Sequence, residues 1–441
     1  MEESGTRAMK RRSEAGQSYI ILAMLMIGML AFSAMAIDGG MLYHEHRRAQ
    51  NAADAAALAA AYAKIKGIPL GPPALEAAAE NGYPNTSQAC DPPGYDCILG
   101  VGENLAIQVT NPPRTGEYAG DPDYIHVQIQ NQIETSFLHL VTNGGLSNAA
   151  EAVSRVWPSQ NYTPGYAIFA ATEHDCKGVW FTGTGDTYVA GGGIFSNSDA
   201  ASGSCQSGVQ SGGGNITVEP PDGIEVVGSF DMGGSGTVSP PPTEGVPQYR
   251  LRPMPIPDCS GLPDRGKLKI NGAGTHTVEP GRYEQITVLA NADVTLEPGM
   301  YCVYGNKGFT ANGGSISGVD VMIYMQDGPF DLGGNTLVQL AAEQTPGDLV
   351  DPSDNDWKGM LLYVAPTNTD DVKITGTSST TYTGTIYAPN SLVTLEGTSD
   401  TMGVNAQVIG EFVKTAGNAF LDISYDESKN YYLPPAIDLI K

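Results

Sequence analysis

The hydrophobic pattern changes twice along the chain, and each part predicts a different kind of structure. No charged residue occurs from Tyr19 to Ile37. At a rise of about 1.5 Å per residue this run is roughly 28 Å long, close to the thickness of a bilayer's hydrocarbon core. An alanine-rich helical pattern follows over residues 38–66, and short strand-like runs begin near Tyr166. The pattern predicts a transmembrane helix, its helical continuation and a large β-rich region.

The charges that flank the apolar run predict its direction. Four basic residues precede it and Asp38 follows it, so the positive-inside rule places residues 1–18 in the cytoplasm as a short tail. The alternative is a cleaved secretory signal, because Ala34 and Ala36 form an A-x-A site. The run is longer than the apolar part of a signal peptide, about 7–15 residues. We therefore favour an uncut anchor at 19–37 with the rest of the chain exported.

The continuation over 38–66 carries small side chains on one helical face. Alanines at i, i+3, i+4 and later turns make this face continuous: Ala49, Ala52, Ala53, Ala56, Ala60 and Ala63. An overlapping set repeats the small-xxx-small spacing that lets two helices approach closely: Ala49, Ala53, Ala57 and Ala61. Alanine is also simply a good helix former. Gly39 and Gly40 allow a bend, and Gly67 before Pro69 ends the helix.

Residues 67–160 have the pattern of a small α+β domain. A short helix is predicted at Ala74–Asn81, and strands at Leu105–Thr110 and Tyr124–Gln130. The second strand places Ile125, Val127 and Ile129 on one face, with His126 and Gln128 on the other. Ile133–Val141 is predicted as a helix or a buried turn, and Ala149–Val156 as a strand or a helix.

Residues 165–441 predict a right-handed parallel β-helix, so the fold class is mainly β. Runs of three to five β-branched or aromatic residues return at regular intervals between turn residues. Val278-Glu-Pro-Gly recurs as Leu296-Glu-Pro-Gly, and Val218-Glu-Pro is a partial copy. A jelly roll would use longer antiparallel hairpins. Residues 237–263 are rich in proline and are predicted to leave the β-helix as an excursion.

Composition agrees with this interpretation and excludes some partners. Charged residues make up 16% of the chain, with 55 glycines and 30 prolines, which is typical of turn-rich β structure. The net charge is −25, and the part after Lys66 carries all of this excess. A domain this acidic is repelled by nucleic acid and by anionic membrane surfaces. No nucleic-acid partner is predicted.

All six cysteines fall in the part predicted to be exported, where an even number indicates disulfides. The short loop makes Cys90–Cys97 the most favourable pair, and pairing in chain order adds Cys176–Cys205 and Cys259–Cys302. Six cysteines allow 15 connectivities, and some could be free buried thiols. The absence of any CxxC argues against zinc.

The N-terminal sequence resembles a known family. Three features carry the resemblance: Gly16 before the apolar run, Ala36-Ile37-Asp38 at its end, and above all Arg47-Arg48-Ala49-Gln50-Asn51-Ala52-Ala53-Asp54 followed by Ala55–Ala59. Together they look like the N-terminal module of TadE/TadG-like proteins. These proteins belong to the tight-adherence (Tad, or Flp) pilus assembly system of bacteria. The resemblance implies a single-pass inner-membrane protein with a pseudopilin-like domain. Its partners would be other Tad pilus or envelope proteins, contacted through the N-terminal helix.

Two further features refine the resemblance. Prepilins that are cut after a glycine carry a glutamate five residues into the mature helix, and here that position is Ile21. The match is therefore to the unprocessed, TadG-like branch, without cleavage after Gly16. In the C-terminal region, Gly165–Ala170, Pro298–Cys302 and Gly384–Asn390 resemble the β-helix domain that follows the anchor in TadG-related proteins.

Pectate-lyase-like enzymes also use a parallel β-helix. Their catalysis needs a calcium–carboxylate cluster with a base, or a pair of carboxylates for hydrolysis. The best cluster is Asp348, Asp351, Asp354 and Asp356, which lacks the order of a calcium loop, so a solvated acidic turn is the better interpretation. The histidines are scattered. His174-Asp175-Cys176 resembles part of a Cys-His site, but a disulfide at Cys176 is the better explanation. Hydrolase, zinc-protease and nucleotide-binding motifs are absent from the sequence. Trp157, Trp180 and Trp357 could stack on sugars or simply pack. We predict no catalytic residue, cofactor or metal.

Asp38 has two interpretations. It could pair with Arg47 or Arg48 of a neighbouring helix, or with a partner's terminus, and so set the register of assembly; alternatively it is an unpaired carboxylate among lipid headgroups. The function predicted for the whole chain is a membrane-anchored, non-enzymatic component of a Tad-type pilus or related envelope machine. The alternatives are a surface adhesin or glycan-binding protein, and a polysaccharide-active enzyme.

Overall fold

A computed structural model describes residues 15–83, 96–100, 105–133, 135–137, 146–289, 291–333, 336–343, 357–376, 379–397 and 401–440. The chain divides into two compact units. The first comprises Met1–Pro158 and Pro435–Lys441, and the second comprises Ser159–Pro434. The second unit is therefore inserted near the end of the first. The prediction that the β-helix extends to residue 441 is wrong for the last seven residues, because Pro435–Lys441 belong to the first unit.

A single helix, α1, runs from Ala15 to Ile65 through both the apolar run and the alanine-rich continuation. Its 51 residues correspond to roughly 76 Å, and the helix is unbroken at the two glycines where the sequence allowed a bend. The chain turns away from the helix at Gly67, whose φ of 65° is the left-handed conformation that glycine adopts most easily. The N–H groups of Gly67 and Ile68 donate to the carbonyls of Lys64 and Ala63, which satisfies the last turn.

A short second helix, α2 (Gly71–Glu80), begins with two prolines and ends in the same way at Gly82, which has a φ of 90°. Four strands follow: β1 (Asp96–Gly100), β2 (Leu105–Thr110), β3 (Tyr124–Ile133) and β4 (Leu146–Trp157). The strands predicted at β2 and β3 are confirmed, and the alternative left open at Ala149–Val156 is decided in favour of a strand. Most of the predicted helix or turn at Ile133–Val141 lies outside the described residues.

These strands form an antiparallel sheet in the order β1-β2-β3-β4, and β34 (Ala436–Leu439) from the end of the chain pairs with β4 as its last strand. The alternation predicted in β3 is confirmed, because Ile125, Val127 and Ile129 are fully buried. They pack with the two helices in one apolar core. The first unit is thus two helices against an antiparallel sheet.

The second unit is a parallel β-solenoid. Its strands run from β5 to β33, and a 3-10 turn lies at Glu427–Lys429. Before the proline-rich residues 246–262 they are β5 (Gln160–Asn161), β6 (Tyr166–Ala170), β7 (Val179–Phe181), β8 (Thr187–Ala190), β9 (Gly193–Ser196), β10 (Ala201–Ser202), β11 (Cys205–Gln206), β12 (Gly208–Gln210), β13 (Ile216–Val218), β14 (Ile224–Val226), β15 (Phe230–Met232), β16 (Val238–Ser239) and β17 (Thr243–Glu244).

After that segment come β18 (Asp264–Asn271), β19 (Gly274–Val278), β20 (Gly281–Leu289), β21 (Ala292–Leu296), β22 (Gly299–Val303), β23 (Phe309–Asn312), β24 (Ser315–Gly318), β25 (Val321–Met325), β26 (Phe330–Gly333), β27 (Leu337–Ala341), β28 (Met360–Val364), β29 (Val372–Gly376), β30 (Thr381–Gly397), β31 (Thr401–Gly417), β32 (Phe420–Ser424) and β33 (Tyr432–Leu433). The predicted repeat is confirmed here, because Val278 pairs with Leu296 on the next coil.

Each coil contributes strands to three faces. Face A contains β22, β25, β28, β6, β9 and β14; face B contains β23, β26, β29, β7 and β12; face C contains β24, β27, β32, β8 and β13. The long strands β30 and β31 turn the corners and contribute to all three. Inward side chains from every coil form one continuous apolar core.

The coils stack in an order that differs from their order in the sequence. The coil that starts at β6 lies against the last coil, because β31 pairs with β6 and β7, and β32 pairs with β8. The chain therefore enters the solenoid in the middle of the stack and winds outward to β17. It begins again at β18 and winds back to the point of entry.

The proline-rich segment makes this return possible. The prediction that residues 237–263 leave the β-helix is wrong for the first part, since β16 and β17 stack in parallel on β13 and β14. Residues 246–262, which we call the strap, connect β17 to β18. Strap side chains, including Tyr249, Met254 and Cys259, pack on the outside of face A. The strap thus covers apolar residues that a solenoid would otherwise expose.

Beneath the strap the outward side chains of face A form a ladder in register. Phe195 pairs with Phe169, Phe169 with Ile409, and Ile409 with Tyr387. The ladder continues through Tyr363, Tyr324 and Cys302. A disulfide from Cys302 to Cys259 links its end to the strap.

Two of the three predicted disulfides are confirmed, Cys176–Cys205 and Cys259–Cys302. They cross-link the solenoid at a surface loop and at the strap. The prediction of a Cys90–Cys97 pair involves residues outside the described part of the chain.

Candidate functional site

The first half of α1 leaves its large apolar side chains exposed. Tyr19 is 74% exposed, Phe32 77% and Ile37 49%, and α1 is the one helix in the described part of the chain that is long and apolar enough to cross a membrane. An isolated apolar helix of this length is unfavourable in water and favourable in hydrocarbon. Gly16 lies within the first turn of this helix.

The alanine face predicted on the second half of α1 is confirmed, but its partner is the chain itself. Ala49, Ala53, Ala57 and Ala61 are fully buried, as are Ala52, Ala56, Ala60 and Ala63. All of them except Ala63 belong to one core cluster with Ala74, Leu75 and Ala78 of α2 and with Ile107, Val127, Ile129 and Ala152 of the sheet. The small-xxx-small spacing therefore serves close packing within the first unit, and this face is not free to contact a second membrane helix.

The close approach has a specific consequence. The hydroxyl of Ser154, on β4, donates a buried hydrogen bond of 2.8 Å to the backbone carbonyl of Ala57. A side chain larger than alanine along this face would hold the sheet too far away for such a bond. Ser154 was not among the residues singled out from the sequence. Its only local signal is a small polar residue between the apolar positions Val153 and Val156.

The polar residues of the motif also have intramolecular partners. The amide of Gln50 donates to the carboxylate of Asp54 and to the backbone carbonyl of Glu151, both at 2.8 Å. Gln50 and Asp54 are one helical turn apart, so the pair braces the helix and attaches it to β4. Asn51 is exposed, and Ala52 and Ala53 are buried beside it. Asn51 therefore faces outward, between the half-buried Gln50 and the buried Ala52.

The two arginines at the start of the motif differ. Arg47 is exposed, with its guanidinium 6.0 Å from the ring centre of Tyr43. Arg48 donates at 2.7 Å to the carbonyl of Gly82, at the C-terminal end of α2, where a cation is favoured. Its guanidinium also lies 5.2 Å from the ring centre of Tyr83 and 3.5 Å from Glu45. Arg48 thus joins the two helices.

Glu45 begins a chain of hydrogen bonds that reaches across the sheet. Its carboxylate accepts from the hydroxyl of Tyr83 at 3.2 Å and from the amide of Asn131 at 3.3 Å. Asn131 accepts from Asn148, whose own carbonyl oxygen lies 2.9 Å from Nδ1 of His46. Burial and the neighbouring Glu45 raise the pKa of Tyr83, so the phenol keeps its proton and acts as a donor.

Asp38 has a partner that neither interpretation of the sequence included. It is only 6% exposed, and its Oδ1 accepts from the backbone N–H of Ser136 at 2.8 Å. Its Oδ2 lies 3.1 Å from the backbone N of Phe137, which also donates. The carboxylate therefore holds the segment 135–137 of the same chain against the helix, at the point where the apolar run ends.

In the second unit, face B carries an open groove with polar walls. It has a volume of about 410 Å³ and is lined by Thr310, Asn312, Asp331, Lys373, Thr375 and Glu396 among others. Lys373 lies 3.8 Å from Asp331, and both side chains are exposed. Further along face B, Trp180 lies between Lys177 and Lys414, whose ammonium groups are 4.3 and 4.7 Å from its ring centre.

The other residues considered for chemistry lie apart. The cluster Asp348–Asp356 is outside the described residues. His174 lies 3.0 Å from Asp199, while Cys176 is in a disulfide. Trp357 packs against Tyr363 and Tyr431, and Trp157 against Arg155. Among the residues that the structure describes, no group of three or more His, Cys, Asp or Glu is placed to hold a metal ion.

Comparison with known proteins relates the N-terminal part of the chain to a described family. Residues 16–63 match the model of a family described as putative Flp pilus-assembly TadE/G-like. Searches of curated proteins and of solved structures gave no significant match. The resemblance noted for the N-terminal module is thereby confirmed, and the matched residues span the apolar run, Asp38 and the alanine-rich motif.

Proposed function

We propose that this protein is a membrane-anchored, non-enzymatic component of a Tad/Flp-type pilus assembly or a related cell-envelope machine. The observation that carries the proposal is the family match over residues 16–63. The exposed apolar half of α1 supports an anchor in the inner membrane. The basic residues before the anchor support a cytoplasmic N-terminus and an extracytoplasmic solenoid.

The packing of α1 limits which of its surfaces can contact other pilus proteins. The alanine face is already occupied by α2 and the sheet. Contacts with other pilus proteins therefore fall to the lipid-facing half and to outward residues such as Asn51 and Arg47. In this proposal the second half of the helix is packed within the first unit, and the solenoid makes up most of the exported residues.

Site-specific photo-crosslinking in cells tests this proposal. A benzophenone amino acid at Phe32 or at Asn51 should yield adducts whose partner mass spectrometry identifies as Tad/Flp assembly proteins. The same amino acid at Leu439, an exposed residue of the last strand, is the comparison position. Adducts at both test positions that contain no pilus protein, together with normal piliation in a deletion strain, would refute the assembly role.

A second candidate function, glycan binding, is favoured by the groove on face B. Threonine and asparagine side chains with the Asp331–Lys373 pair offer donors and acceptors of the kind that bind sugar hydroxyls. A glycan array is the test, with Lys373→Ala beside Lys429→Ala, an exposed lysine elsewhere in the solenoid, as the matched control. Binding that Lys373→Ala abolishes and Lys429→Ala retains would support a glycan-binding role.

A further inference from the structure

The segment 135–137 lies at a defined height along α1. Asp38 immediately follows the apolar run, and its carboxylate accepts from the backbone N–H groups of Ser136 and Phe137. These contacts place Phe137 beside residue 38 of the helix. Its side chain is 42% exposed, a large apolar surface for a residue in a turn.

The helix itself supplies a scale for depth. Tyr19 and Tyr43 are 74% and 65% exposed, and they lie about 36 Å apart along the helix axis. Tyrosine is enriched at both membrane interfaces, and this spacing falls between the hydrocarbon thickness of about 30 Å and the 40–45 Å that includes the headgroups. Asp38 lies about 28 Å from Tyr19 on this scale, at the outer edge of the hydrocarbon core.

The surroundings of Asp38 suit this depth. A carboxylate at the edge of the hydrocarbon is costly unless its oxygens are paired, and two backbone N–H groups pair them here. The same bonds satisfy two N–H groups of a turn that would otherwise face lipid. A pocket on the same stretch of the helix is lined by the apolar Ile37, Met41 and Ile133 and, further from the apolar run, by His44 and Glu45.

We propose that residues 135–137 form a second membrane contact, in which Phe137 inserts into the outer interfacial layer of the bilayer and Asp38 holds the turn at that depth. The partner is the phospholipid surface itself. This inference rests on the proposed membrane anchor. It adds that the first unit is seated on the bilayer through the turn and does not stand clear of it.

Lipid photo-crosslinking of the full-length protein in phosphatidylcholine vesicles tests the inference. A benzophenone amino acid at Phe137 should form lipid adducts within about threefold of the yield at Phe32, in the middle of the apolar run. At Tyr62, an exposed position about 36 Å beyond Asp38 along the same helix, the yield should be less than a tenth of that at Phe32. Asp38→Ala should lower the yield at Phe137 at least fivefold and leave Phe32 unchanged, whereas Glu76→Ala, at an exposed carboxylate on α2, should change neither.

The outcomes separate the two proposals. Adducts at Phe32 with none at Phe137 would overturn the second contact and leave the anchor standing. No adducts at either position would overturn the anchor. Equal yields at Phe137 and Tyr62 would show non-specific labelling and would also overturn the second contact, because the turn would then be no closer to lipid than a residue far above the membrane.

Discussion

At the scale of single residues, the motif is explained by packing. Six of the eight residues Arg48–Ala55 have side-chain partners within the first unit. Ala49, Ala52 and Ala53 lie in the core, Gln50 and Asp54 bond each other, and Arg48 bonds the end of α2. Alanine is needed where the helix backbone approaches β4 closely enough for Ser154 to reach the carbonyl of Ala57. Asn51, in contrast, faces outward.

Enlarging a buried alanine should therefore destabilise the first unit. Ala53→Leu adds three carbons at a position with no exposed surface and should cost about 1–3 kcal/mol in the free energy of unfolding. Asn51→Ala, two positions away and exposed, should stay within about 0.5 kcal/mol of wild type. Thermal unfolding of the detergent-solubilised protein measures both. Equal effects of the two substitutions would mean that the face is not packed as described.

His174 gives a prediction about pH. The carboxylate of Asp199, 3.0 Å from Nδ1, raises the pKa of His174 above its ordinary value. The pairing is therefore present at low pH and is lost as the pH rises through the raised pKa. Asp199→Asn should bring the titration of His174 back toward the ordinary range of a histidine, as followed by NMR of the imidazole protons. An unchanged titration would show that the two side chains do not interact in solution.

At the scale of elements, the strap has a clear physical role. Stacked coils leave a ladder of aromatic and aliphatic side chains on the outside of face A, and the strap covers it. Hydrogen bonds fasten the strap at one end, where the amide of Asn197 donates to the carbonyl of Tyr249 and accepts from its N–H. The disulfide Cys259–Cys302 fastens the other end.

Removing that disulfide should loosen the strap. The double variant Cys259→Ala with Cys302→Ala should lose about 2–4 kcal/mol of stability, since the bond closes a large loop. Trypsin should then cut after Arg250, within the strap, faster than in wild type. The variant Cys176→Ala with Cys205→Ala is the matched control, because it removes a disulfide away from the strap and should leave cleavage after Arg250 slow. Equal cleavage in both variants would argue against the fastening role.

At the scale of the whole molecule, the solenoid joins two stretches of sequence. Coils before the strap and coils after it share hydrogen bonds at the junction of β31 with β6 and β7. The apolar core also runs through this junction without a break. The second unit should therefore unfold as one body.

A core substitution at the junction tests this cooperativity. Ile168→Ala, at a position that is 1% exposed, should destabilise the solenoid by about 2–5 kcal/mol. The protection of backbone amides from hydrogen exchange should then fall both in the strands before the strap and in the strands after it. If the coils after β18 kept their wild-type protection, the two stretches would be independent structures.

The sequence by itself determined the parts of this protein that depend on local order. Length, lack of charge and flanking residues defined the helix, and the alternation of strand-like runs with turn residues identified the coils, including the register of Val278 with Leu296. Gly67 marked the end of α1, and chain-order pairing was right for the two disulfides that the structure describes. These features follow from periodicity and backbone preference over a few residues.

Only the tertiary structure decided which elements meet. Main-chain hydrogen bonds are alike for every residue, so no local signal states that β31 lies beside β6 or that the last strand returns to the first unit. An alanine face fits a partner helix or the chain's own sheet equally well, and a carboxylate accepts from any nearby donor. The partners of the alanine face and of Asp38 lie about a hundred residues away in sequence, on β4 and at Ser136. Contacts at that separation arise from the fold, and the helix that the sequence marked as an assembly element proves to be a packed part of its own domain.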